Sequence, residues 1–223
     1  MFAVQVRKIN IGKSQQFVTA QKKANEIIKA KSKTPIYYNA GFTEDNRYAV
    51  STPINSFADL DKIAANLQAN YQLVDAEIKQ QIAACIEWEE SFVMQEVANL
   101  SIPPAEGMDL SDFRFNRFQH FYFHPKDRQK VYATLKKIND YWVKQEGNAF
   151  HFTYQPLFGK DLNQLVIHHI AKDLAGIAGL NTKERAHQKK PEYIALVQEL
   201  LPLITKVETE YSWSQPDLSM SKK

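Results

Sequence analysis

Apolar and polar residues alternate over residues 2–9. Phe2, Val4 and Val6 fall on one face and Gln5 and Arg7 on the other, which predicts a short strand. Gly12 ends it, and Ser14 is the expected N-cap of a helix reaching about Lys31, with Phe17, Ala20, Ala24, Ile27 and Ile28 as its apolar stripe. Pro35 opens a second strand over 36–42, the polar run 43–47 turns the chain, and 48–52 returns as a third strand to form a β-hairpin. From Ser56 a helical region is expected to about Phe92, broken near Asn70, followed by a fourth strand over 93–100. Residues 102–112 carry Pro103, Pro104 and Gly107 and read as a linker.

The same order then returns. A strand lies within 113–123, a helix runs from Asp127 to about Glu146, and 150–155 pairs with 165–170 around a turn near Gly159 and Lys160. A second helical stretch has its firm part over 192–208, with Pro191 at its start and a kink expected at Pro202. The last strand is expected over 211–215 and a frayed tail over 220–223. Residue identities support a duplication. Gln15, Lys22, Lys23 and Asn25 recur 114 positions later as Gln129, Lys136, Lys137 and Asn139. Tyr38, Phe42, Asp45, Val50 and Ile54 recur at 116 as Tyr154, Phe158, Asp161, Val166 and Ile170, and Glu90, Leu100 and Ser101 recur at 118 as Glu208, Leu218 and Ser219.

Two βαββαβ copies, 1–101 and 113–219, predict an α+β chain of two ferredoxin-like repeats, each an antiparallel sheet with helices on one face. Leaving the other faces wet would cost about 25 cal/mol for each Å² of apolar surface, so stacking the two sheets face to face is the expected solution. In element order, duplication and paired hairpins, nearly the whole chain resembles the dimeric α/β barrel superfamily in a tandem, pseudo-dimeric form. That resemblance implies a ligand pocket more than a reaction, because the superfamily spans cofactor-free monooxygenases, haem-degrading and haem-binding enzymes, and small isomerases. The Asn, Trp and His set of the haem-degrading members has no matching spacing here.

Composition narrows the classes. A net charge of +3 with scattered Lys argues against a nucleic-acid partner, and no apolar run approaches the roughly 18 residues of a membrane span. The single Cys85, at helical spacing with Ile78, Ile82 and Ile86, reads as a small buried residue. Residues 1–12 lack the apolar core of a signal peptide, so a cytoplasmic location is expected. Glu87, Glu89 and Glu90 around Trp88 read as an exposed helical turn, and P-loop, GxGxxG, GxSxG, HExxH and CxxC patterns are missing from the sequence.

Candidate chemistry concentrates in the second copy, which holds all six histidines. The predicted topology brings His120, His151 and either His168 or His169 to one end of a sheet, with His151 opposite His168 or His169. Three roles are open to this set: sheet histidines bonded to backbone or Tyr, ligands of a metal or haem iron, or polar groups in an organic-ligand pocket. His168 and His169 are adjacent, so only one of them can join a given cluster. Tyr154 and Gln119, among rings such as Phe118, Phe152 and Trp213, complete a pocket suited to a small flat apolar or aromatic ligand. His187, in the charged run 183–190, reads as a surface residue, and His124 before Pro125 as a turn residue. Two functions follow: a small-molecule-binding barrel of monooxygenase-like or isomerase-like type working in the second repeat, or a non-catalytic interaction scaffold with a side-chain-filled barrel. Homo-oligomerisation through helix faces is compatible with both.

Overall fold

The structure, a computed structural model, describes residues 1–146 and 150–220. Its elements run β1 (Phe2–Ile9), α1 (Ser14–Lys31), β2 (Asn39–Thr43), β3 (Arg47–Pro53), α2 (Ala58–Leu73), α3 (Ala76–Ala83), β4 (Ile86–Glu96), β5 (Phe115–Phe123), α4 (Arg128–Glu146), β6 (Phe152–Phe158), β7 (Gln164–Ala171), α5 (Leu174–His187), α6 (Pro191–Leu200) and β8 (Ile204–Ser214). In the order β1-β3-β2-β8-β5-β7-β6-β4 the strands form a closed barrel, so the fold is α+β and built on antiparallel pairing. No described helix is long and apolar enough to cross a membrane.

By contacts the chain separates into two compact units, residues 1–94 with 212–223, and residues 95–211. In the first, β1 lies between β3 and β4, while β2 pairs with β3 and with the end of β8 at Ser212 to Ser214. Its core gathers Ile9, Phe17, Ala40, Phe42, Tyr48, Cys85 and Leu218. The buried stripe of α1 is Phe17, Ala20, Gln21, Ala24 and Asn25, turned from the predicted one so that Ile27 and Ile28 are only half-buried. In the second unit β7 pairs with both β5 and β6. Phe123, Val131, Leu135, Ile138, Leu165 and Ile167 lie in one core with Leu100 and Leu200, which joins α4 and α6 to one face of the sheet.

Each unit is closed by a segment that follows the last strand of the other copy. Asn25 Nδ2 donates to the Leu218 carbonyl at 2.8 Å, and Asn139 Nδ2 to the Leu100 carbonyl at 2.6 Å. Tyr38 bridges Met220 as His151 bridges Ile102, so Met220 is anchored rather than frayed, while 221–223 lie outside the described residues. The repeat offsets of 114 at the asparagines and 118 at the leucines are therefore structural. The offset of 116 is not. Tyr38 occupies the place of His151, not Tyr154, because the second hairpin is longer: 12 positions separate Asn39 from its partner Ser51, and 16 separate Phe152 from His168.

Two strands begin earlier than expected. The helical periodicity of Ile78, Ile82 and Ile86 ends at Ala83, and 86–96 is strand, so Glu87, Glu89 and Glu90 lie on β4, with Glu89 paired to Arg7 at 2.7 Å. Likewise Pro202 ends α6 in a 3-10 turn instead of kinking it, and Ile204 and Val207 belong to β8. The two corrections coincide under the offset of 118, since 86–96 maps onto 204–214.

Removing Asn25 strands more than removing Asn139. Gln21 Nε2 and the Tyr38 hydroxyl both donate to Asn25 Oδ1, whereas the Leu100 carbonyl also accepts from Thr153 Oγ1 and His151 Nε2. Chemical denaturation is expected to show Asn25→Ala costing about 3 kcal/mol and Asn139→Ala about 1–2 kcal/mol. The reverse order would remove the asparagine grip as the closing interaction of the first unit.

Candidate functional site in the second repeat

Period-two alternation on β5, β6 and β7 sorts the candidates between the two faces of one sheet. Phe121 and Phe123 pack towards the core under α4, so Arg117 and Gln119 share the helix-covered face, while Asn116, Phe118 and His120 point the other way. On β7, Leu165 and Ile167 lie in the helix-covered core, which puts His169 on that face and His168 on the opposite one. Phe152 is the ladder partner of His168, so the preceding His151 lies against His169, with ring centroids 5.2 Å apart.

The expected convergence of His120, His151 and His168 is therefore corrected. His151 and His169 lie on one face, His168 and His120 on the other, and among the described residues no group of three His, Cys, Asp or Glu could hold a metal ion. His120 is also mid-strand, because β5 begins at Phe115.

On the face away from the helices, the His168 ring stacks on Phe118 at 4.3 Å and lies near Phe152 and Tyr154. Its Nε2 is 2.9 Å from Asn116 Oδ1, so Nε2 carries the proton and donates. Some solvent still reaches His168, but protein surrounds it at longer range, and this desolvation pushes its pKa down to about 3. His120 Nδ1 lies 3.4 Å from Gln164 Oε1.

The helix-covered face carries the more strongly charged arrangement. Arg117, the third residue of β5, is 2% exposed. Its Nη1 donates to Asn181 Oδ1 at 2.5 Å and Glu184 Oε2 at 2.9 Å, and its Nη2 donates to Glu184 Oε1 at 2.5 Å. The same Nη2 is 3.2 Å from His169 Nδ1, which fixes that nitrogen as the acceptor. Burial first, and then the Arg117 charge, hold His169 well below the ordinary histidine range. His151 is buried, donates from Nε2 to the Leu100 carbonyl at 3.2 Å, and is pushed down to about 4, chiefly by burial. Both rings are thus neutral at pH 7, and the pair, tilted at 51° with centroids 5.2 Å apart, adds no second positive charge beside Arg117.

Beside this network lies a cavity of about 250 Å³. Arg117 and Gln119 line it from β5, Asn181, Glu184 and Arg185 from α5, and Gln188, Thr209 and Tyr211 complete it. Of the residues singled out by sequence, only Gln119 reaches it. Arg117 and Glu184 were missed because neither belongs to a motif. The available signal was an arginine on a strand otherwise rich in aromatic rings, where a lone charge needs a partner.

His187 also departs from expectation. It is 2% exposed, with Nδ1 2.6 Å from the Tyr141 hydroxyl and its ring 4.5 Å from Trp142. As the last residue of α5 it lies three positions after Glu184, so helical spacing turns both towards the protein.

The buried neutral state of His151 has a measurable consequence. Its folded pKa of about 4 lies below the ordinary 6.5, so the unfolded chain binds more protons between these values. Its contribution to stability is complete above about pH 6.5 and is lost as pH falls towards 4. Unfolding measured across this window should fall more steeply for the natural chain than for His151→Gln, by up to about 3 kcal/mol. Parallel curves would show that His151 is not held neutral.

No protein-family model matches the chain, and no curated protein matches it significantly. Solved structures do match. A proposed monooxygenase from Lactobacillus acidophilus aligns at 13% identity over 96% of this chain and 92% of its own, with a TM-score of 0.55. An anthrone oxidase-like protein aligns at 10% identity over 96% and 90%, with a TM-score of 0.63. A chlorite dismutase variant from Candidatus Nitrospira defluvii aligns at 8% identity over 97% and 92%, with a TM-score of 0.52. With its eight-stranded antiparallel barrel, the chain has the fold of the dimeric α/β barrel superfamily, carried on a single polypeptide.

Proposed function

We propose that the protein binds a small organic molecule in the open cavity beside α5 in its second repeat and acts on it as a monooxygenase-like enzyme. The observation that carries this reading is a buried guanidinium, Arg117, lining a cavity of about 250 Å³ whose other side chains are nearly all polar. Such a lining suits an oxygen-bearing ligand, which narrows the small apolar or aromatic molecule expected from the ring-rich strands to one with polar handles. Two arginines against one glutamate give the lining a net charge of +1, which favours a ligand that becomes an anion.

Cofactor-free oxygenation depends on such an anion. Loss of a proton from an activated C–H leaves a carbanion that bonds to dioxygen, and the resulting peroxide loses water to leave a carbonyl. Arg117 would act by stabilising the anion with a guanidinium already fixed in place, His169 holding Nη2 and Asn181 holding Nη1. The likeness to a proposed monooxygenase and an anthrone oxidase-like protein supports this class by analogy of fold.

A second reading is a non-catalytic interaction protein. It is favoured by the opposite face of the same sheet, where Phe118, Phe152 and Tyr154 gather around His168 and fill space with the strands' own rings. An oxygen electrode separates the two. With hydroxylated aromatic and enolisable substrates, the protein should consume dioxygen, and Arg117→Gln should slow this by about 10²-fold while remaining folded by circular dichroism. No uptake, together with no ligand-induced change in melting temperature across the panel, would leave the interaction protein as the better reading.

A further inference from the structure

We infer that Glu184 stands in for an oxyanion of the ligand. A small carboxylate or phenolate would bind by taking its place on Arg117, and α5 would loosen as it does so. This rests on the cavity beside Arg117 being the ligand site.

The two members of the ion pair are held very differently. Arg117 is the third residue of β5, 2% exposed, and its guanidinium is also fixed by Asn181 and His169. Glu184 is 24% exposed at its side chain and belongs to a helix that buries only Ile177 and His187 among 14 residues. Like α2, α3 and α6, α5 buries a smaller share of its residues than α1, and with the Glu184 side chain itself partly exposed the carboxylate is the movable partner.

A buried guanidinium cannot be left without a counter-charge, because the desolvation cost of an unpaired ion is large. If α5 moves, another anion must replace Glu184. The exchange is chemically like for like: a planar carboxylate can take the same two parallel N–H donors, Nη1 and Nη2, that Glu184 now accepts from. The internal match is also incomplete, since Arg117 Nε is buried without a hydrogen-bond partner. The room for an exchange is present, because Arg117 and Glu184 both line the 250 Å³ cavity, and Arg185 on its wall adds a further positive charge. Gln119, Gln188 and Thr209 supply neutral donors and acceptors for the rest of the molecule.

The test uses 4-hydroxybenzoate and its uncharged counterpart 4-hydroxybenzamide as probes of the whole chain, read by calorimetric titration and by amide hydrogen exchange over residues 174–187. The carboxylate is expected to bind at least about 10-fold more tightly than the amide and to speed exchange in α5. Glu184→Gln, which removes the internal competitor, should tighten carboxylate binding by about 10-fold or more, and Arg117→Gln should abolish it. If Glu184→Gln does not fold, exchange in the natural chain decides alone. Slower or unchanged α5 exchange with the carboxylate bound would overturn displacement of Glu184. Equal or tighter binding of the amide would overturn the oxyanion class while leaving the cavity as a ligand site. Binding of neither probe would overturn both.

Discussion

Alternation along the strands of the second repeat is the constraint on which the candidate site depends. A residue on β5 or β7 faces either the helices or the opposite side, and its neighbour must do the reverse. The chemistry of each face then follows from one-residue differences. Arg117 meets the carboxylate of α5 and is met in turn by His169, whereas Phe118 and His168, one step away on each strand, stack as rings 4.3 Å apart. The ladder pairs Arg117 with His169 and Phe118 with His168, so the polar network and the ring stack are consecutive rungs of the same two strands. A one-residue slip of β5 would exchange its two faces and place a guanidinium beside Phe152 and Tyr154.

That constraint also explains how far the sequence could be read. Strand, helix and hairpin order was visible because the apolar periods of 2 and 3.6 are strong in 2–9, 14–31 and 128–146. The duplication was visible in residues that play the same structural part in both copies, since Asn25 and Asn139 each hold a leucine carbonyl of the closing segment. The identities at an offset of 116 had no such shared part. Val50 and Val166, for example, are not equivalent, since the hairpins differ in length and Val50 corresponds to Ile167. β4 and β8 were placed late for one physical reason. Each follows a helix with hardly a break, and a valine or isoleucine at the strand start continues the helical spacing by coincidence.

The strand histidines were assigned to the right strands, but His120 was placed too near its strand's start and the set was not placed correctly in space. His151 does lie opposite His169, one of the two partners that the hairpin turn near Gly159 implied, and Gly159 has the positive φ of 80° that such a turn uses. What could not be read was the helix side of the sheet. Only α5 reveals that Arg117 has a carboxylate partner, and α5 was hidden from sequence reading because its apolar stripe is too weak to mark a buried face. The same weakness made His187 look solvated, although the aromatic residues Tyr141 and Trp142 of α4 enclose it.

Weak apolar seating and strong polar seating thus coincide on α5. Glu184 and Asn181 reach Arg117, and His187 reaches Tyr141, so this helix is held to its sheet and to α4 largely by directional bonds. Apolar packing loses contacts gradually as surfaces separate, but a hydrogen bond or bidentate ion pair is lost over a small displacement and can be replaced by another group of the same chemistry. A cavity wall built from such bonds can be exchanged for a ligand at Glu184 while His187 keeps the end of α5 on Tyr141 and Trp142. The residues of α5 that occupy Arg117 in the free protein are then those whose chemistry a ligand must reproduce, which ties the architecture of α5 to the class of molecule the second repeat would accept.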